Sequence, residues 1–149
     1  MQQLIICKGL PGSGKSTFAK AWVLEDPKHR VRVCRDDIRR MLGPYWIPTR
    51  EDLVTRIERN SVMNALYHDF NVILDATNFK IKYTKQGDIE GSDIFIPSNY
   101  SKGVEITIKD FTDVSIEECI KRDGLRTGTE KVGEAVIRQM YERYLKHSE

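Results

Sequence analysis

The stretch that decides the fold is GLPGSGKST, Gly9 to Thr17, directly behind the apolar run Leu4-Ile5-Ile6-Cys7. Gly9-x-x-x-x-Gly14-Lys15-Ser16 is the pattern of a phosphate-binding loop that joins a buried strand to a helix. Each residue type has a physical reason to be there. Glycines let backbone N–H groups turn inward around phosphate oxygens, where a β-carbon would collide. Lys15 supplies a point charge to the β- and γ-phosphates of a nucleotide, and the Ser16 hydroxyl is suited to Mg²⁺. The helix that follows aims its positive dipole end at the same anion.

Outward from this loop, apolar periodicity alternates between strand and helix. Leu4 to Cys7 reads as a short buried strand and Lys15 to Leu24 as a helix with Phe18, Ala19, Trp22 and Val23 on one face. Asp26-Pro27 ends it. Val31 to Cys34 is a second strand, and Asp37 to Leu42 a brief helix stopped by Gly43-Pro44. Thr49 and Asp52 have capping-box spacing and open a helix to about His68. Asn71 to Asp75 is apolar enough for burial on both faces. Residues 80–102 carry Gly87, Gly91 and Pro97 among polar residues and read mostly as loop. Val104 to Phe111 alternates as a fourth strand. Ser115-x-x-Glu118 caps a helix running to about Arg122, and Glu134 to Lys146 forms the last helix. The expectation is an α/β fold, a parallel sheet of about four to five strands flanked by helices, with residues 1–149 as one domain.

Composition bounds the rest. Hydrophobic residues at 40% and charged residues at 31% suit a water-soluble chain. No apolar run is long enough for a membrane span, and the start of the chain lacks a secretory signal, so the expected setting is the cytoplasm, with no membrane partner. Cys7, Cys34 and Cys119 are odd in number and far apart, which suits reduced thiols. His29, His68 and His147 are isolated, and no zinc spacing occurs. A net charge of +2 proves no nucleic-acid partner, but Lys28, Arg30, Arg32, Arg35, Arg39 and Arg40 are crowded together.

A phosphate loop alone leaves ATPases, switches and kinases open. Three further stretches bear on the choice. Cys34-Arg35-Asp36-Asp37-Ile38-Arg39 follows the second strand, and the carboxyl ends of parallel strands face the ligand crevice. A carboxylate there suits taking the proton of an attacking hydroxyl, and Asp36 is the favoured one; the other reading makes it or Asp37 a cap of the next helix. Asp75 ends the third strand, where an acid can hold a magnesium-bound water, or can cap a turn. Arg122 and Arg126, four positions apart in Lys121-Arg122-Asp123-Gly124-Leu125-Arg126, could close over a γ-phosphate, or could be a solvated helix end. The loop behind them, Thr127 to Gly133, is polar, holds two glycines and reads as able to move.

Taken together, GLPGSGKST (9–17), RDDIR (35–39), DATN (75–78), KRDGLR (121–126) and VIRQMY (136–141) resemble the kinase domain of bacteriophage polynucleotide 5′-hydroxyl kinases. The resemblance runs over nearly the whole chain and is thinnest over 80–102, where those kinases have a helix. It implies a P-loop kinase with a C-terminal lid that moves the γ-phosphate of ATP, with Mg²⁺, to the 5′-OH end of DNA or RNA. It implies that Gly9, Pro11, Gly12, Ser13, Gly14, Lys15, Ser16 and Thr17 hold phosphate, and that Ser16 and, through water, Asp75 serve the metal. It makes Asp36 the general base, with Lys15, Arg122 and Arg126 as its catalytic companions. Arg39, Asp36, Thr77 and Asn78 become acceptor-binding. The phage enzymes also carry a phosphatase domain with a D-x-D-x-T motif; the chain has no such motif, and no 3′-phosphatase is expected. Two other readings share these residues. One is a small-molecule kinase of zeta-toxin-like or antibiotic-hydroxyl type, the other a non-catalytic nucleotide-binding module. The sequence is silent on DNA against RNA, on the donor nucleotide and on oligomeric state.

Overall fold

The computed structural model describes residues 2–83, 88–91, 95–98 and 103–146. Four strands, β1 (Gln2–Lys8), β2 (Arg30–Cys34), β3 (Asn71–Asp75) and β7 (Val104–Asp110), form one parallel sheet in the order β2-β3-β1-β7. Register is set by alternation: Leu4 lies beside Val72 on one side and Ile106 on the other, so apolar side chains line up face by face. The parallel pairing forces crossovers, and helices supply them. Helix α1 (Lys15–Glu25) links β1 to β2, and α2 (Arg35–Met41) and α3 (Glu51–Tyr67) link β2 to β3, while α4 (Ile116–Gly124) and α5 (Glu134–Met140) follow β7.

The sheet buries both faces, with period two along the strands. Leu4, Ile6, Val33, Val72 and Leu74 join Val54, Val62 and Leu66 of α3 in one cluster. Cys7 and Ile73 face the other way, onto Ala19 and Trp22 of α1. Leu74 is fully buried, so truncating it to Ala would cost about 2–5 kcal/mol. A third cluster, Leu10, Cys119 and Ile137, packs α4 and α5 against the phosphate loop. No helix among the described residues is long and apolar enough to cross a membrane.

Three expectations need correction. Residues 80–102 are not mostly loop where they are described. Two-residue strands β4 (Lys82–Tyr83), β5 (Ile89–Glu90) and β6 (Phe95–Ile96) form a small antiparallel sheet. Ile81, Ile89 and Ile96 enter the main cluster. Strands this short leave no readable alternation, and glycines and a proline dominate the composition. The rest of the 80–102 reading falls on 84–87, 92–94 and 99–102, outside the described residues. Thr49 caps no helix, for it sits inside a 3₁₀ turn (Pro48–Arg50) that leads directly into α3. Helix α2 begins at Arg35, two residues earlier than expected, which puts Asp36 and Asp37 in its first turn, where acids suit the dipole. The Ser115 cap holds: its side chain accepts from the Glu118 N–H at 3.1 Å. The last helix changes at Tyr141 to a π-helical segment (Tyr141–Leu145).

Candidate active site

The loop between β1 and α1 wraps a small cavity of about 60 Å³ at the carboxyl end of the sheet. Pro11, Gly12, Lys15 and Ser16 line it, together with Asp36, Asp75, Thr77 and Arg126. The loop needs its glycines here. Gly12 has φ +83°, and a β-carbon on it would run into the Cys119 carbonyl of α4. A β-carbon on Gly9 would lie 2.9 Å from that of Phe111. The Ser13 hydroxyl is buried without a hydrogen-bond partner, an orphan of the kind a bound anion or water would satisfy. Lys15 Nζ donates to the Leu10 carbonyl at 2.7 Å. Burial lowers its pKa from the usual lysine value, against the pull of Asp75 and Asp36; Arg126 lowers it further. A buried cation of this kind is poised for a phosphate. Thr17 is exposed and lines neither this cavity nor the larger one beside it.

Asp75 ends β3, the strand next to β1, so its carboxylate lies beside the start of α1. Ser16 Oγ donates to Asp75 Oδ2 at 2.8 Å. Arg32, from the neighbouring strand, grips the same oxygen through Nε (2.9 Å) and Nη2 (2.7 Å). A hydroxyl beside a carboxylate is a hard-oxygen donor set that fits Mg²⁺. Among the described residues no group of three or more His, Cys, Asp or Glu could hold a metal. That also fits an ion carried largely by phosphate and water. Cys34 lines the same cavity, but burial pushes its thiol up to about 11, so it is no nucleophile at neutral pH.

Asp36 lines this cavity and also a second one of about 670 Å³. Its Oδ1 accepts from Arg39 Nη1 and from the Tyr45 hydroxyl, both at 2.7 Å. Oδ2 has no side-chain partner among the described residues. Arg39 is held from behind by Glu51, at 3.1 Å through Nε and 2.6 Å through Nη2. Its guanidinium lies 5.5 Å from the Trp46 ring centroid. The Tyr45 hydroxyl is pushed up to about 12, by burial first and Asp36 second, and stays a proton donor. The large cavity is walled by aromatic and polar side chains, including Trp46, Thr77, Asn78, Phe79 and Tyr144. Asn78, at φ +45°, donates to the carbonyls of Cys7 (2.8 Å) and Ala76 (3.3 Å). The Thr77 carbonyl accepts from the Gly9 N–H at 3.0 Å. Both residues thus also fasten the end of β3 to the phosphate loop.

Arg122 and Arg126 arrive at the cradle by different routes. Arg122, on α4, bonds Glu118 at 3.0 Å and reaches the Gly12 carbonyl at 3.4 Å. Arg126 lies past the end of α4 and lines the small cavity. The loop behind it is tethered. Buried Asp123 accepts from the N–H groups of Val132 (2.8 Å) and Gly133 (2.9 Å). Arg40 of α2 bonds the Thr129 hydroxyl at 2.9 Å.

Sequence reasoning missed Arg32, Tyr45, Glu51, Glu58 and Asp123. Arg32 was findable, since alternation in Arg30-Val31-Arg32-Val33 puts both arginines on the α1 face. Asp123 stood inside a stretch already singled out. Glu51 and Glu58 were hidden on α3, remote in sequence; Glu58 is buried and pairs with Arg35 at 3.6 Å. The crowding of basic residues at 28–40 proves less than it promised. Each of its five arginines faces a carboxylate of the chain: Glu25, Asp75, Glu58, Asp36 and Asp37.

Known proteins share this fold. The AAA domain family matches residues 4–147. An L-seryl-tRNA(Sec) kinase of Methanococcus maripaludis is 29% identical over 95% of this chain and 52% of its own length. Among solved structures, a chain of the Pnkp1/Rnl/Hen1 RNA repair complex is 29% identical over 99% of this chain and 46% of its own, with TM-score 0.69. A second structure of a Pnkp1/Rnl/Hen1 complex is 32% identical over 81% of this chain and 38% of its own, with TM-score 0.57. The chain thus spans about half the length of these relatives, or less. A parallel sheet, a glycine loop with a buried lysine and a serine–aspartate pair beside it agree with that match: the chain belongs to the AAA domain family and has the P-loop kinase fold.

Proposed function

We propose that this protein is a kinase that transfers the γ-phosphate of ATP to the 5′-hydroxyl of DNA or RNA, with residues 1–149 acting as one domain in the cytoplasm. The observation that carries the reading is the position of Asp36. Its carboxylate lines both the phosphate cavity and the 670 Å³ cavity, with one oxygen held by two donors. That is where a base must stand between a donor and an acceptor. Support also comes from the likeness to chains whose names concern RNA repair and a tRNA-borne serine.

In this mechanism Lys15 and the loop amides hold the β- and γ-phosphates, and the orphaned Ser13 hydroxyl gains a partner. Ser16, and Asp75 through water, would hold Mg²⁺, which when bound neutralises charge on the phosphate oxygens. The acceptor lies in the larger cavity along Thr77 and Asn78, with Arg39 beside its reacting end. Asp36 Oδ2 takes the proton as the new O–P bond forms and the bond to the ADP oxygen breaks. Arg122 and Arg126 stabilise charge on the moving phosphoryl group.

A second reading, a small-molecule kinase, is favoured by the internal pairing of the arginines at 30–40, which leaves that cluster little charge for a polymer. Labelled ATP offered to 5′-hydroxyl oligonucleotides beside nucleosides and small alcohols separates the two. Transfer to oligonucleotides, weakened by salt, is expected. Transfer to small alcohols alone would refute the polynucleotide reading, and ATP binding without any transfer would leave a non-catalytic module.

A further inference from the structure

Tyr144, in the π-helical segment after α5, stacks on Phe79 with ring centroids 4.8 Å apart and planes 14° from parallel. Both rings line the large cavity, as does Lys131. The Arg143 guanidinium lies 5.3 Å from the Tyr144 ring centroid and Lys80 Nζ 5.8 Å from it. These cations differ from their neighbours along the last helix. Arg138, on α5, and Lys146, just past the π-helical segment, are each held by a glutamate one turn earlier, at 2.9 and 3.0 Å. One turn before Arg143 stands Gln139. Among the described residues, Lys80, Lys131 and Arg143 form no ion pair. Un-neutralised cations around a stacked aromatic pair on a cavity wall are the recognition chemistry of single-stranded nucleic acid, with rings for bases and charge for phosphodiesters.

We infer that this wall is a second acceptor subsite, taking the nucleotide and phosphodiester that lie 3′ of the nucleotide carrying the reacting hydroxyl. The inference rests on the polynucleotide reading above. A single nucleotide engages Asp36 and Arg39 but not this wall; a short strand engages both. The kinase is thereby made to prefer a chain end over a mononucleotide, without base-specific contacts.

The test is kcat/KM of the full chain for a nucleoside 3′-monophosphate and for a single-stranded trinucleotide, over about 50–200 mM salt. The wild type is expected to favour the trinucleotide about tenfold, the scale of one added base stack. In a Tyr144→Ala variant that preference should fall to about twofold or less. In a Lys80→Ala/Arg143→Ala variant the plot of log KM for the trinucleotide against log salt should flatten by about 0.7, for the one phosphodiester no longer neutralised. An unaltered preference and slope would overturn the subsite, as would an equal loss for both acceptors, which marks a structural role. Failure of either acceptor to be phosphorylated while ATP still binds would overturn the polynucleotide reading, and the subsite with it.

Discussion

Replacing Asp36 by Asn changes one carboxylate oxygen to an amide nitrogen, and the surroundings dictate which one. Arg39 and the Tyr45 hydroxyl both donate to Oδ1. The amide therefore turns its oxygen to those donors and puts NH₂ where Oδ2 stood. An NH₂ group cannot take a proton, so the acceptor hydroxyl loses its base. Transfer should fall about a hundredfold to ten-thousandfold, a barrier increase of about 2.7–5.5 kcal/mol. The rest of the site should stay in place. Glu51 still grips Arg39 at two points, and Lys15 is anchored to Leu10. Asp36 is 42% exposed, so losing its ion pair costs about 1 kcal/mol at most. The melting temperature should then shift by at most about 4 °C. Rapid-quench transfer of labelled phosphate to a 5′-hydroxyl oligonucleotide, beside ATP binding and thermal melting, measures all three. Tyr45→Phe is the graded control: it removes one bond and should slow transfer about three- to tenfold. Turnover of Asp36→Asn within about threefold of wild type, or a loss matched by lost ATP binding, would refute this assignment of the base.

Gly12→Ala should destabilise the chain by about 2 kcal/mol or more and weaken ATP binding, because the new methyl meets the Cys119 carbonyl and φ is +83°; melting curves and ATP titration check both. Arg126→Ala should lower kcat about a hundredfold or more with a much smaller change in ATP affinity, and Arg126→Lys should not restore it fully, since an ammonium lacks the planar fork; full activity in either variant would reduce Arg126 to a solvated helix end. Glu51 accepts charge-assisted bonds from Arg39, which, despite partial burial, hold its pKa below the usual 4.5. A depressed carboxylate stabilises the fold above that value and loses the contribution as pH falls through the folded pKa. The melting-temperature gap between wild type and Glu51→Gln should therefore be widest near neutral pH and shrink below about pH 4.5; a gap that stays constant into acid would contradict the pairing.

Much of the architecture was legible because it is encoded locally. The glycine loop between an apolar strand and a helix, alternation in Val104 to Asp110 and the Ser115 cap each lie within a few residues, so spacing alone reads them. That Asp36, Asp75 and Arg126 lie near one another was legible for a related reason: in a parallel sheet the carboxyl ends of strands converge, and these three residues line one small cavity. The stretch 80–102 was not legible, since two-residue strands are stabilised by burying Ile81, Ile89 and Ile96 against α3 and the sheet rather than by any local pattern.

By itself the sequence determined the glycine loop between strand and helix and the parallel sheet, and it offered two acids beyond β2, all of which follow from residue type at short range. Only tertiary structure decided how those residues are wired. It set Arg32 on Asp75, Glu51 on Arg39, and Asp123 on the amides of Val132 and Gly133. It also paired the arginines of 30–40 with carboxylates and set Lys80 and Arg143 beside an aromatic pair formed by residues 65 positions apart. The physical reason is that charge counts in a sequence carry no geometry. Whether an arginine is available to a ligand depends on which carboxylates the fold brings within about 4 Å of it, and these come from other strands and helices.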